Sequence, residues 1–156
     1  MKKGRPSLTF FWCAFILIPL ACAAPDTARV ADTDRFDRVN NSLNRLTDSY
    51  ERENTDSFMG HIGPDYDLDY SALERAIQDE FDRYDAFDVS IIVDRVSTDS
   101  SGSIVFADTH WTKRRVSLKT GTQRKESGRT TFIFRVTPNR DLVLKGMKGD
   151  RLYGAP

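Results

Sequence analysis

Three observations on this sequence predict an α+β fold in which N-terminal helices pack into a curved antiparallel sheet. Apolar residues recur at three- and four-residue steps from Phe36 to Phe81, and at every second residue from Phe87 onward. The two longest alternating runs, SIVFADTHWTKRRVSL and GRTTFIFRV, are joined by the polar, glycine-containing stretch KTGTQRKES and read as one long hairpin from Ser103 to Val136. Its arms exceed the ~10 residues of ordinary strands, so the sheet they form is long enough to bend around the helices.

The chain opens with the layout of a cleaved secretory signal over residues 1–24. Lys2, Lys3 and Arg5 precede the apolar run LTFFWCAFILIPL, and the small residues ACAA follow it. That run falls short of the ~20 apolar residues needed to cross a bilayer. Export is therefore expected, placing the mature protein outside the cytoplasm, in a bacterial periplasm or at the outer membrane. Two processing reactions compete. Cys22, after Leu20 and Ala21, resembles the lipobox cysteine of bacterial lipoproteins, which is acylated as the first mature residue, although Pro19 stands where that motif carries an aliphatic residue. Ala21 and Ala23 equally form an A-x-A site for ordinary cleavage. Acylation would anchor the chain to the membrane, each buried CH₂ contributing about 0.8 kcal/mol. Cys13 and Cys22 are the two cysteines, so the folded body is expected to carry no disulfide. Residues 25–31 read as a short polar tether.

Residues 32–156 make one domain's worth of chain, with no internal repeat or linker. A first helix carries Phe36, Val39, Leu43, Leu46 and Tyr50 on one face and is expected to end near Glu53. Asn54 to Asp56 supply a stop and a new N-cap for a short helical turn through Phe58 and Met59, broken by Gly60, Gly63 and Pro64. Ser71 and Glu74 have the spacing of a capping box at the start of a further helix. Its buried stripe is Leu73, Ile77, Phe81 and Tyr84, and its wet face includes Gln78, Asp79, Glu80, Asp82 and Arg83. Phe87, Val89, Ile91 and Val93 then mark a strand, Asp99 to Gly102 a turn, Pro138 to Arg140 another, and Leu142 and Leu144 the last strand.

Acidic and basic residues balance at 23 each, but unevenly along the chain. From Pro25 to Arg95 there are 18 acids and 8 bases, and from Val96 onward 5 acids and 12 bases. The expected consequence is attraction between a helical acidic half and a basic sheet half. A basic hairpin tip meeting an anionic partner is the alternative. No aromatic-plus-basic groove points to nucleic acid. DYDLDY, at Asp65 to Tyr70, lacks the turn glycine and terminal glutamate of a calcium loop, and two histidines without a retained cysteine argue against zinc. No phosphate loop, dinucleotide fingerprint or serine-nucleophile motif is present, so no metal or cofactor is implied.

The order of helix, short helix, helix and strand meander, with DSYERENTDSFMGHIGPDY, ADTHW, GRTTFIFRV and the closing GDRLYG, resembles the nuclear transport factor 2-like superfamily, which includes SnoaL-like proteins. The resemblance covers most of the chain beyond the signal. It implies a cone in which a curved sheet wraps the helices and leaves a cavity at the wide end. Members include isomerases, dehydratases, epoxide hydrolases and non-catalytic binding or assembly domains, so the fold does not choose a function.

With Trp111 facing inward, the cavity would be lined by Tyr50, Phe58, Tyr66, Tyr70, Thr109, Trp111 and Phe134, together with Ala107; the same aromatics could instead fill the cone. Asp108 and His110 are the catalytic candidates, two apart on one strand face where a carboxylate could orient an imidazole. Strand alternation sets them opposite Trp111. His61, between glycine-rich breaks, reads as a capping or surface residue. Three readings follow. The first is an exported, non-catalytic envelope domain, lipid-anchored if Cys22 is acylated, that binds a partner protein or a small apolar ligand. The second is a small isomerase, dehydratase or hydrolase using the cavity. The third is self-association through an apolar outer sheet face.

Overall fold

A computed structural model describes residues 27–154, with side chains from Asp32. Three helices come first: α1 (Thr27–Glu51), α2 (Thr55–Met59) and α3 (Tyr70–Phe81). Four strands follow: β1 (Tyr84–Thr98), β2 (Ile104–Ser117), β3 (Gln123–Val136) and β4 (Leu142–Gly149). They form one antiparallel meander in the order β1-β2-β3-β4. The signal-like segment and Cys22 lie outside the described residues.

Val39, Leu43, Leu46 and Tyr50 form the buried stripe of α1, at the period that brings residues four and seven apart onto one face. Phe36, expected on that stripe, stays at the surface. The helix starts at Thr27, so most of the stretch read as a tether is its first turns. It gives way to α2 through Glu53, in the left-handed region at φ 53°, and Asn54, whose side chain accepts from the Ser57 N–H at 2.8 Å. The cap of α3 is a correction. Asp69, not Ser71, accepts from the Ala72 N–H, so the N-cap lies two residues ahead of the expected one.

The hairpin also closes further than its polar tip suggests. Pairing of β2 with β3 runs from Ile104↔Arg135 to Val116↔Gln123, leaving a connection of residues 118–122. Register shifts at Asp85/Asp88, Val93/Arg95 and Ile133/Phe134 supply the curvature. At the first, Ala86 takes a positive φ of 52°. Beyond β4 the chain turns inward, burying Leu152 and Tyr153. Between α2 and α3, Ile62 bridges Leu144 and the Asp67 N–H donates to the Lys145 carbonyl, so that connection is stitched to the edge of β4. Among the described residues no helix is long and apolar enough to cross a membrane.

Candidate functional site

The interior of the curved sheet is filled. Tyr50 is surrounded by Phe58, Phe81, Phe87 and Tyr153, with ring centroids 4.9–6.0 Å apart. Phe132 stacks near Phe134 at 6.2 Å and meets Tyr153 from the sheet side. Tyr153 is thus a plug delivered by the C-terminal segment, and its hydroxyl shares a 3.0 Å hydrogen bond with Thr47 on α1. Burial pushes the phenols of Tyr50 and Tyr153 well above the ordinary range.

The inner face of β2 continues past Trp111 into two cations, Lys113 and Arg115, because residues two apart share a face. Both are buried, and so is Glu80 of α3, which the helical period placed on the wet side. Lys113 Nζ donates to Glu80 Oε1 at 2.8 Å and to the Leu152 carbonyl at 2.7 Å. Arg115 donates to the same Glu80 oxygen and, at 2.8 Å, to Glu126. Burial lowers the pKa of Lys113, and the neighbouring Glu80 opposes that shift. The cluster joins α3, β2, β3 and the C-terminal segment. Each of its charges is matched by an opposite one, so it acts as a strut. The signal that could have found it was in the sequence: Lys113 and Arg115 share the parity of Trp111.

One concavity stays open beside this core. The N-terminal half of α3, the end of β4 and the C-terminal segment enclose a cleft of about 280 Å³. Leu68, Ala72, Leu73, Ala76 and Met147 make its walls apolar, and Tyr66, Asp69 and Arg151 supply its polar groups. Ala72 and Ala76 lie one helical turn apart, so α3 presents little bulk there. Gly154 closes one side; a Cβ there would stand 3.2 Å from Ala76 and Leu73, and its φ of +62° suits glycine.

Tyr66 is 8% exposed, and its hydroxyl is buried without a hydrogen-bond partner among the described residues. An unsatisfied buried group of this kind costs about 1–3 kcal/mol. Arg38, Glu80, Arg115 and Arg135 also carry one atom each without a hydrogen-bond partner, but each of these side chains is otherwise hydrogen-bonded or ion-paired. Burial raises the pKa of Tyr66, the charge of Arg151 opposing and that of Asp67 adding.

The residues expected to share one cavity are distributed. Tyr66 lines the cleft, whereas Tyr50, Phe58 and Phe134 belong to the packed core. Trp111 is buried over Gly128, where a Cβ would lie 2.6 Å from its ring, and donates to Thr130 Oγ1 at 2.9 Å. Thr109 donates to the Thr130 carbonyl at 2.8 Å. Tyr70 is partly exposed, its hydroxyl reaching the Met59 carbonyl at 3.3 Å.

Asp108 and His110 stand on the outer face of the sheet and do not bond each other. Asp108 accepts from Arg95 and Thr131, hydrogen bonds that hold its carboxyl below the usual range, and His110 meets Asp94 at 2.8 Å. With Arg114 paired to Asp88, that face is charged, Ile92 being its large exposed hydrophobic. Burial, and then the charge of Arg45, lowers the pKa of His61, whose carbonyl accepts from Leu144. In the acidic run, Asp65 pairs with Arg135 and Asp67 with Lys145, so attraction between the two halves of the chain engages those carboxylates.

No protein-family model matches the sequence, and no curated protein does. Solved structures do. A ketosteroid isomerase-like protein of Erwinia carotovora superposes with a TM-score of 0.64 at 11% identity, covering 79% of this chain and 98% of that one. The protein has the nuclear transport factor 2-like fold. A member of that superfamily from Salmonella enterica gives a TM-score of 0.60 at 11% identity over 76% and 91% of the two chains. A Catenulispora acidiphila protein solved in complex with S-DNPA gives 0.58 at 12% over 75% and 92%. Identities this low establish the nuclear transport factor 2-like architecture and leave the chemistry to this chain's own residues.

Proposed function

We propose that this chain is an exported, non-catalytic domain of the cell envelope that holds a small apolar ligand in the cleft between α3 and the C-terminal segment. The observation that carries the reading is a filled cone beside an open apolar cleft. Tyr153 and its aromatic neighbours occupy the interior, while the cleft offers apolar walls with few polar groups, the usual make-up of a small-molecule site, and its volume of about 280 Å³ lies just under the ~300–1,000 Å³ such sites span. The buried ionisable groups of the core are tied to one another, and Asp108 and His110 face outward, which favours binding over turnover. Export is supported by the sequence of residues 1–24, and Cys22 is the proposed lipid attachment point, linking the domain to the membrane five residues before the first described residue of α1.

The test has two arms. In the first, the protein is expressed with its own signal as wild type and as Cys22→Ala, then examined by intact mass and membrane fractionation. Acylation and membrane retention, both lost in the variant, are expected, and an unmodified soluble wild-type chain would sink the tethered form. In the second, binding of the uncharged apolar dye phenylnaphthylamine is measured with wild type and Ala76→Trp, whose indole fills the cleft. Saturable binding abolished in a variant that melts like the wild type is expected. Dye binding unchanged by that substitution would remove the cleft from the reading.

A further inference from the structure

We infer that the cleft selects a small amphipathic monocarboxylate, whose carboxylate is received by the Tyr66 hydroxyl and the Arg151 guanidinium while its apolar body lies along Leu68, Leu73 and Met147. This rests on the reading of the cleft as a ligand site and adds the chemistry of the ligand.

The argument begins with Tyr66. It lines the cleft, is more than nine-tenths buried, and carries one side-chain polar atom, which has no hydrogen-bond partner among the described residues. A phenol satisfied by none of the residues around it is a donor awaiting an acceptor. The second polar element is Arg151, on the same wall, exposed and in no ion pair with a described residue. Other bases near this end of the sheet are committed, Lys145 to Asp67 and Arg135 to Asp65. A guanidinium matches the two oxygens of a carboxylate, and an adjacent phenol adds a third donor.

Asp69 also lines the cleft, but its carboxylate accepts from the Ala72 N–H at the start of α3. There the positive end of the helix dipole offsets its charge. The cleft thus offers two donors, the Tyr66 phenol and the Arg151 guanidinium, and its one lining carboxylate is engaged at the helix start, while the walls of α3 and β4 are apolar. A neutral alcohol would satisfy Tyr66 and leave Arg151 unused, and an alkylammonium would be repelled.

Octanoate, octanol and octylamine provide matched probes for calorimetric titration of the mature protein. Wild type is expected to bind octanoate at least tenfold tighter than octanol, with octylamine weakest. Arg151→Gln should remove most of that preference and Tyr66→Phe should reduce octanoate affinity severalfold. Tyr66→Phe should melt like the wild type, because its hydroxyl bonds no described residue. Equal affinity for octanoate and octanol, or an Arg151→Gln variant that binds octanoate like the wild type, would overturn the carboxylate assignment while leaving the apolar-ligand reading intact. Failure of wild type to bind either octanoate or the dye would overturn both.

Discussion

Replacing Glu80 with glutamine probes the buried charge cluster with almost no change of shape. Glu80 and Lys113 are 0% exposed and Arg115 4%, with Lys113 Nζ 2.8 Å from the carboxylate. In Glu80→Gln the two cations keep Glu126, which is partly exposed, 4.0 Å from Lys113 and 2.8 Å from Arg115. Removing one partner of a buried pair costs about 3–5 kcal/mol. A ceiling follows independently: shedding the Lys113 proton at neutral pH costs about 4.6 kcal/mol, for an unperturbed pKa near 10.4 at ~1.4 kcal/mol per unit. Set against a total stability of ~5–15 kcal/mol, the variant would stand near the edge of folding.

Adding Lys113→Met to Glu80→Gln should recover about 1 kcal/mol or more, because the uncompensated charge goes with the lysine. Urea unfolding followed by far-ultraviolet circular dichroism, with the slope checked for constancy, measures both. The sign with pH is also fixed. A lysine whose folded pKa lies below its unfolded value binds more protons when unfolded, so the deficit of Glu80→Gln relative to wild type should shrink as pH rises from neutral toward about 10. A single variant costing under about 1 kcal/mol, or a double variant weaker than the single one, would refute the picture of a charge-matched strut.

Two further outcomes test other parts of the fold. Trp111→Ala removes a buried indole bonded to Thr130 and should cost about 3–5 kcal/mol, while His110→Ala on the outer face should change stability by less than about 0.5 kcal/mol; thermal and urea melts of the pair that rank them the other way would reverse the assigned faces of β2. Tyr50, Tyr66 and Tyr153 have raised folded pKa values, so the unfolded chain loses phenolic protons first and stability should fall as pH climbs past about 10. Following phenolate absorbance and circular dichroism together checks this, and ionisation of all five tyrosines with the fold intact would contradict their burial.

The sequence by itself determined the architecture and the parity of its strands. Stripes such as Val39, Leu43, Leu46 and Tyr50 can be buried by a helix in one way, and the side-chain period of two puts Val105, Ala107, Thr109 and Trp111 together on one face of β2, while the tertiary structure decides that this face is the inner one. That parity set Asp108 and His110 opposite Trp111, and so outside once Trp111 is buried. It did not locate the cleft, because its lining comes from two stretches far apart in the sequence, residues 66–76 and 147–154, which meet only when the chain beyond β4 folds back across α3. Nor did it bury Glu80, since a helical period read alone assigns an acid to water. Only the curvature of the sheet, bringing Lys113 and Arg115 against that side of α3, provides the opposite charges that make burying a carboxylate tolerable. The plug had no local signature either. Tyr153 lies in the short segment GDRLYG, and its place at the centre of the cone is set by the space that Tyr50, Phe58 and Phe132 leave between helix and sheet.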